Sequence, residues 1–389
     1  MRMTRQTRWA VPAGAVAVAA AVTAGSVIGV AQASPALAKR SPAQLLAAVA
    51  ATTSPPPSLT GTVVETAKLG IPQLPGMQQP TSFSSLLTGS HTVRVWYADP
   101  QHVRLAAPVQ MGESDFIRSG QSAWVWQSTT NTVTRYALPA HAGHGAQQAT
   151  PEPSGTPVTP QQAAQRVLAA VGPSTMVSTQ SNVVVAGQPA YQLVLAPKDS
   201  RSLVGRVSIA LDGKHPQVPL RVQVFARGAA TPAFQVGYTS VSFARPAATN
   251  FRFSPPPGAK VRQGTLPGGH SGQQAPRQAA GHEGQVIGKD WLSVAVLPAS
   301  ALSGITGSGS AAAAAGQAAR SASGGPGGGV SDAAIMSALF KSATQVHGRW
   351  GSGKLLTTSL VSILITSDGH VLAGAVAPSV LYAAAAKVK

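Results

Sequence analysis

Residues 183–226 read VVVAGQPAYQLVLAPKDSRSLVGRVSIALDGKHPQVPLRVQVFA. Three runs in this stretch alternate apolar with polar residues, and a period of two is typical of strands with one buried face. The apolar positions are Tyr191, Leu193 and Leu195, then Val207, Ile209 and Leu211, then Leu220, Val222 and Val224. Turn residues at 187–189, 197–199 and 212–213 separate the runs. Because these connections are short, the stretch predicts an antiparallel meander with one apolar face.

Alternating runs on both sides of this stretch extend the predicted sheet. They cover residues 59–64, 92–97, 102–105, 116–119, 123–127, 133–138, 234–238 and 241–243. Two amphipathic helices open with the same pattern, a capping Ser or Thr followed by Pro, at Ser41 and Thr159. The predicted fold class is therefore α+β, mainly antiparallel β, with about ten strands, a number that suits a sheet closing or nearly closing on itself.

The charge balance favours anionic partners. The chain has 389 residues, 29 Lys and Arg against 11 Asp and Glu, and a net charge of +18. Such an excess suits lipid head groups, wall polymers or nucleic acid. No helix concentrates basic residues beside aromatic ones, so we expect no nucleic-acid partner. The chain has no cysteine, which excludes disulfides, thiolate catalysis and a lipid anchor on an N-terminal cysteine.

The N-terminus has the pattern of a secretory signal peptide, predicted over residues 1–38. Three arginines precede an apolar run at 9–30, and the small residues that follow fit cleavage after Ala33 or after Ala38. The apolar run also approaches the roughly 20 residues that span a bilayer, so an uncleaved anchor is the alternative. Both interpretations place the body of the protein outside the cytoplasmic membrane.

Changes in composition divide the remaining chain. We expect a main domain over 39–258, a disordered Gly/Gln/Pro/His-rich linker over 259–285, and a small α+β module over 286–389. A Gly/Ala/Ser-rich linker at 303–330 interrupts the module. A hairpin signal at Ser367-Asp368-Gly369 and a final alanine-rich helix belong to it. The sequence leaves open whether the module is independent or packed on the main domain.

No catalytic or metal-binding pattern is convincing. Residues 348–354 approach a phosphate-binding loop, but Leu355 replaces the Ser or Thr that would hold magnesium, so we interpret the segment as a turn. Two pairs of loop histidines, His141 with His144 and His270 with His282, lie in Gly-rich loops, where solvated histidines are more usual than metal ligands. The sequence therefore predicts a protein that is not an enzyme and has no cofactor and no metal.

The strand region contains one close pair of carboxylates, Glu113 and Asp115. Beside a turn, we expect these two side chains to be solvated. Three tryptophans, Trp96, Trp124 and Trp126, leave two interpretations open. They fill the core, as buried Trp usually does, or they form a ligand-facing wall inside a curved sheet.

Several motifs together are similar to those of a known family. They include LTGTV at 59–63, VWYADP at 95–100, SGQSAW at 119–124 and VAGQPAYQL at 185–193. Over residues 42–258 the chain resembles the LolA-like lipoprotein-carrier superfamily, in the branch of high-GC Gram-positive bacteria. That superfamily includes the N-terminal domain of the envelope-stress regulator RseB and mycobacterial lipid-carrying lipoproteins. The resemblance implies an unclosed β-barrel, with helices plugging its open side and an apolar cavity for acyl chains.

This resemblance implies a non-catalytic extracytoplasmic protein that carries or senses a lipid or a lipidated protein. The candidate cavity residues are Val95, Leu105, Trp124, Trp126, Tyr191, Leu193, Ile209, Val222 and Val224. Arg104 and Arg221 are candidates for contacts with anionic head groups at the rim. An anionic membrane surface and a membrane protein are further candidate partners. The alternative function is an RseB-like regulatory module that binds a membrane protein.

Overall fold

A computed structural model describes the structure of residues 37–50, 55–70, 88–109, 111–138, 159–160, 162, 164, 172–264, 285–298 and 343–388. These residues belong to one compact unit, Pro35–Lys389. Most of the predicted signal peptide, both histidine pairs and the predicted linker at 303–330 lie outside the described residues.

The main domain is a single open sheet of twelve strands. The strands are β1 (Leu59–Lys68), β2 (Thr88–Asp99), β3 (His102–Val109), β4 (Gly112–Ser119), β5 (Ser122–Gln127), β6 (Thr132–Ala137), β7 (Thr175–Val185), β8 (Gln188–Pro197), β9 (Val204–Asp212), β10 (Pro219–Ala226), β11 (Phe234–Ser242) and β12 (Lys260–Gly264). Their order is β12-β6-β5-β4-β3-β2-β1-β11-β10-β9-β8-β7. Strands β12 and β7 form the two edges and do not pair with each other, so the curved sheet is unclosed. The predicted fold class is confirmed.

Strand β12 differs from the prediction, which placed its residues in a linker. It pairs in parallel with β6, with Lys260 opposite Thr132 and Gly264 opposite Tyr136. Residues 243–259 cross from β11 to reach it. The parallel partners β6 and β12 are separated by more than 120 residues, and local turn signals do not reveal a pairing over that distance.

The two faces of this sheet have different surroundings. The inner face is the one that carries Leu193, Ile209 and Val222. Helix α1 (Pro42–Ala50) packs against it through Leu45 and Val49, both fully buried. The helix begins in a capping box, in which the Ser41 hydroxyl accepts the Gln44 N–H at 3.2 Å and the Gln44 side-chain oxygen accepts the Ser41 N–H at 2.8 Å.

The C-terminal module is a second antiparallel sheet with one helix. Its strands are β13 (Gln285–Ile287), β14 (Val294–Pro298), β15 (Thr344–Gly348), β16 (Gly351–Thr357), β17 (Ser362–Thr366) and β18 (His370–Gly374), in the order β13-β14-β18-β17-β16-β15. The predicted hairpin joins β17 to β18. The segment that approaches a phosphate loop, interpreted as a turn, contains the two-residue turn 349–350, and its remaining residues belong to β15 and β16. Helix α2 (Pro378–Val388) covers the sheet through Leu381.

The module packs on one end of the main sheet. The Leu203 N–H donates to the Ala375 carbonyl at 2.9 Å, and the Ser359 N–H donates to the Leu69 carbonyl at 2.9 Å. Leu360 is buried in the same core as the inner face. The module is therefore docked on the main sheet, which answers the question that the sequence left open.

A partly buried hydrogen bond joins the main sheet to the module, and we expect it to stabilise their contact. The Trp291 indole N–H donates to the Thr175 hydroxyl at 2.8 Å. Replacing Trp291 with phenylalanine leaves the Thr175 hydroxyl without this donor, and we expect a loss of about 1 kcal/mol in the free energy of unfolding. Urea denaturation measures this loss.

The matched control is Ser367→Ala, which removes an exposed hydrogen bond to Ser352 inside the module. We expect this control to change stability by less than about 0.5 kcal/mol. An equal loss in both variants would contradict a special role for the Trp291 contact.

Candidate ligand-binding face

Seven of the predicted cavity residues share the inner face. In an antiparallel pair, residues directly opposite each other point to the same side. Val95 lies opposite Leu105, and Ile209 lies opposite both Leu193 and Val222. Val224 and Val222 are two residues apart in β10, as are Tyr191 and Leu193 in β8, so the two residues of each pair point to the same face.

Strands β1 and β11 connect these two groups of residues. Val236 of β11 lies opposite both Val222 and Glu65. Glu65 and Val63 are two residues apart in β1 and point to the same face. Val63 lies opposite Val93, which is on the same side of β2 as Val95. The inner face is therefore continuous from β3 across the sheet to β8.

These seven side chains differ in how much of their surface is accessible. Val95, Tyr191, Leu193, Ile209 and Val222 are buried, whereas Leu105 and Val224 are half-buried. The buried ones form one core with α1, with Ala164 of the second predicted helix, and with Leu360 of the module. The accessible part of the inner face therefore includes Leu105 and Val224.

The structure places Trp124 and Trp126 on the opposite, outer face. Val125, between them, lies opposite Phe116 and so points to the inner face. The ring of Phe253 packs on both tryptophans, with centroid distances of 6.1 and 6.4 Å. Residues 243–259 thus cover this part of the outer face. Alternation alone did not reveal this, because β5 carries apolar residues on both faces.

The two predicted rim arginines also lie on the outer face. The guanidinium of Arg104 stands 5.2 Å from the ring centre of Trp96 and forms an ion pair with Asp115. Arg221 lies opposite Gly237 and directly precedes Val222 in β10, so its side chain points to the face opposite that of Val222. Neither arginine stands beside the inner-face residues that we expect to contact a ligand.

Asp115 is buried, contrary to the expectation that it is solvated. Its side chain is 1% exposed, and its Oδ2 accepts a hydrogen bond from Arg104 Nη2 at 2.5 Å. Burial, followed by the neighbouring Glu113 carboxylate, raises the pKa of Asp115 to about 7, although Arg104 acts in the opposite direction. Three buried polar atoms, Asp115 Oδ1, Arg104 Nε and Trp126 Nε1, have no hydrogen-bond partner within the described part of the chain. The outer face therefore contains a buried, proton-sensitive ion pair.

Two polar side chains lie within the apolar inner face, and the sequence patterns did not single them out. Glu65 is 2% exposed, although it interrupts the apolar alternation of β1. The ring of Tyr238 packs directly on Gly61, where a Cβ atom would lie 2.7 Å from it. Burial raises the pKa of the Tyr238 hydroxyl well above its usual value, so it stays protonated. These groups add polar atoms to an otherwise apolar face.

The residues just before α1 cover one end of this face. The Tyr191 hydroxyl donates to the Ala38 carbonyl at 2.8 Å, and the Arg40 guanidinium lies 5.3 Å from the Tyr191 ring centre. The Leu37 side chain packs beside Gly213. Residues 38–40 therefore cover part of the Tyr191 side chain, which was predicted to contact a ligand.

Other kinds of site receive no support from the described residues. No three His, Asp or Glu side chains among them come together as a metal site would require. In the same part of the chain, no helix combines the length and hydrophobicity needed to cross a membrane.

Comparisons with known proteins find distant structural similarity. No family model and no curated protein sequence matches the chain. A structure of the MucA/MucB complex of Pseudomonas aeruginosa is 14% identical, with a TM-score of 0.38, over 88% of this chain and 96% of that one. A LolA superfamily protein of Nitrosomonas europaea is 11% identical, with a TM-score of 0.22, over 55% of this chain and 99% of that one. These similarities assign no function to this chain.

Proposed function

We propose that this protein is an extracytoplasmic, non-catalytic binding protein that holds an acyl chain of a lipid or of a lipidated protein against the inner face. The observation that carries the proposal is the mainly apolar inner face, which runs without a break from Leu105 of β3 to Leu193 of β8 and is partly accessible at Leu105 and Val224. Open sheets that curve around an apolar face are common places for hydrophobic ligands.

The energy for binding comes from removing the acyl chain from water. Each buried methylene contributes about 0.8 kcal/mol, so a chain of about twelve methylenes supplies on the order of 10 kcal/mol before the cost of association is subtracted. No directional polar contact is needed, which agrees with a face made mainly of Val, Leu and Ile. Membership of the LolA-like superfamily, its branch in high-GC Gram-positive bacteria and the extracytoplasmic location are parts of the same proposal.

Replacing a half-buried residue of the inner face with arginine should weaken acyl binding. Leu105→Arg and Val224→Arg each place a cation where the chain would lie, and we expect at least about tenfold weaker binding, because an unpaired charge beside the acyl chain must be desolvated. Titration with a fluorescent fatty acid measures the dissociation constant. Fully buried Leu193 is unsuitable for this test because a charge there would prevent folding.

The control is Val194→Arg. Val194 is also half-buried but lies on the outer face, next to Leu193 in β8. Binding that is unchanged in the two inner-face variants, or equally weak in the control, would contradict the proposed site.

A second candidate function is a regulatory module that binds a membrane protein. The observation that favours it is the dense packing of α1 on the inner face, where Leu45, Leu193 and Ile209 are all fully buried. A face that is already filled needs no ligand. Purified protein that carries no lipid and binds no fatty acid would favour this alternative.

A further inference from the structure

Three exposed cations lie at one end of the main sheet, where β8 begins and β9 ends. Lys39 and Arg40 belong to the segment held by Tyr191, and Lys214 follows Gly213, against which Leu37 packs. In a chain that keeps Leu37 and Ala38, as cleavage after Ala33 or an uncleaved anchor leaves it, the contacts of residues 37–40 bring these cations to the same end, which we call the cationic end: Lys39, Arg40 and Lys214.

The acidic residue at this end does not balance them. Asp212 is 2% exposed, and its Oδ1 accepts the N–H groups of Lys214 and His215 at 3.0 and 2.7 Å. The same oxygen lies 3.0 Å from the His215 ring nitrogen. Within the described residues, none of the three cations forms an ion pair. The cationic end thus presents positive charge to solvent.

An exposed apolar side chain lies at the same end of the sheet. Val184 of β7 is 49% exposed and lies opposite Pro189, whose carbonyl accepts the Gly213 N–H at 2.8 Å. Cations around an exposed apolar group suit the surface of an anionic bilayer, where the apolar group enters the interface and the cations meet phosphates.

The C-terminal module does not cover the cationic end. The module occupies the opposite end of the main sheet, where Ala375 and Ser359 of the module form hydrogen bonds with Leu203 and Leu69.

We propose that the cationic end docks on the surface of an anionic phospholipid bilayer, which is where the protein exchanges its acyl ligand. This inference rests on the proposed function. Docking orients the protein on the bilayer. The end of the inner face that lies beside α1 then faces the lipid from which a ligand is taken.

Vesicle co-sedimentation tests this proposal with the purified protein, its N-terminus determined by mass. The vesicles contain phosphatidylcholine alone or with one-third phosphatidylglycerol. The variant is Lys39→Glu, Arg40→Glu, Lys214→Glu. The control makes the same charge change at three exposed cations elsewhere: Lys260→Glu, Arg262→Glu, Lys354→Glu.

We expect the wild-type protein and the control to bind the anionic vesicles, and the cationic-end variant to bind them at least about tenfold more weakly. Binding should also fall as salt is raised. Equal losses in both variants, or no wild-type preference for anionic vesicles, would overturn the proposal. So would binding to soluble polyphosphate without binding to vesicles.

Titration with the fluorescent fatty acid separates this proposal from the proposed function. The cationic-end variant should bind fatty acid as the wild type does, because the inner face is unchanged. A wild-type protein that sediments with anionic vesicles but binds no fatty acid would remove the proposed function, and with it the exchange of ligand at the membrane.

Discussion

Replacing Leu193 with alanine is expected to lower the free energy of unfolding by about 2–5 kcal/mol, the range for removing a buried leucine side chain. Leu193 is 0% exposed and lies at the centre of the inner-face core, opposite Ile209 and Thr179. The loss combines the apolar contacts of the side chain with the cavity that remains. Urea denaturation followed by circular dichroism measures it.

The control for this prediction is Val194→Ala, the next residue in the same strand. Val194 points to the outer face and is only half-buried, so we expect a loss of less than about 1.5 kcal/mol. If Val194→Ala destabilised the protein more than Leu193→Ala, the assignment of the two faces would be wrong.

The stability of the protein should also depend on the protonation of Asp115. The pKa of this carboxyl is about 7 in the folded protein, against about 3.9 in an unfolded chain. Between these values the folded state binds the additional proton, so the free energy of unfolding falls as pH rises from about 4 to about 7. The expected decrease from this group is on the order of 2–4 kcal/mol.

The variant Asp115→Asn tests this linkage because the amide oxygen still accepts from Arg104 but binds no proton. Its unfolding free energy should fall less than that of the wild type between pH 4.5 and 7.5. In Glu113→Gln, the loss of a neighbouring negative charge should move the Asp115 transition to lower pH. Parallel stability curves for wild type and Asp115→Asn would rule out a raised pKa for Asp115.

Local sequence patterns predicted most of the strands correctly. The alternating stretch at 183–226 contains β8, β9 and β10, and the turns between them overlap the predicted ones but are shifted by one or two residues, since Gln188, Pro189, Pro197 and Asp212 belong to strands. Alternation is a property of a few neighbouring residues, and the short turns force adjacent strands to pair. In the structure, Val95 with Leu105 and Leu193 with Ile209, all predicted cavity residues, point to a common face.

Features that depend on distant parts of the chain were not predictable in this way. Strand β12 finds its partner β6 more than 120 residues away in sequence. Trp124 and Trp126 turn outward because residues 243–259 return to cover that face, and Asp115 is buried on the same side as them. Alternation shows that two faces differ, but it does not show what a remote segment places on each.

The candidate site follows the same division. The shared face of the apolar residues came from register, which the turns determine. Two other features depend on residues more than 100 positions apart in sequence. The Tyr191 hydroxyl donates to Ala38, and Leu360 of the module enters the core. Those contacts show which part of the inner face the protein itself already covers.

Native mass spectrometry with lipid extraction, on protein secreted from its own host, tests the central claim most directly. We expect the wild-type protein to carry about one acyl lipid per chain, the Val224→Arg variant to lose it, and the Val194→Arg variant to keep it. Protein that is lipid-free in all three forms, with the inner face fully packed in a crystal structure, would contradict the claim.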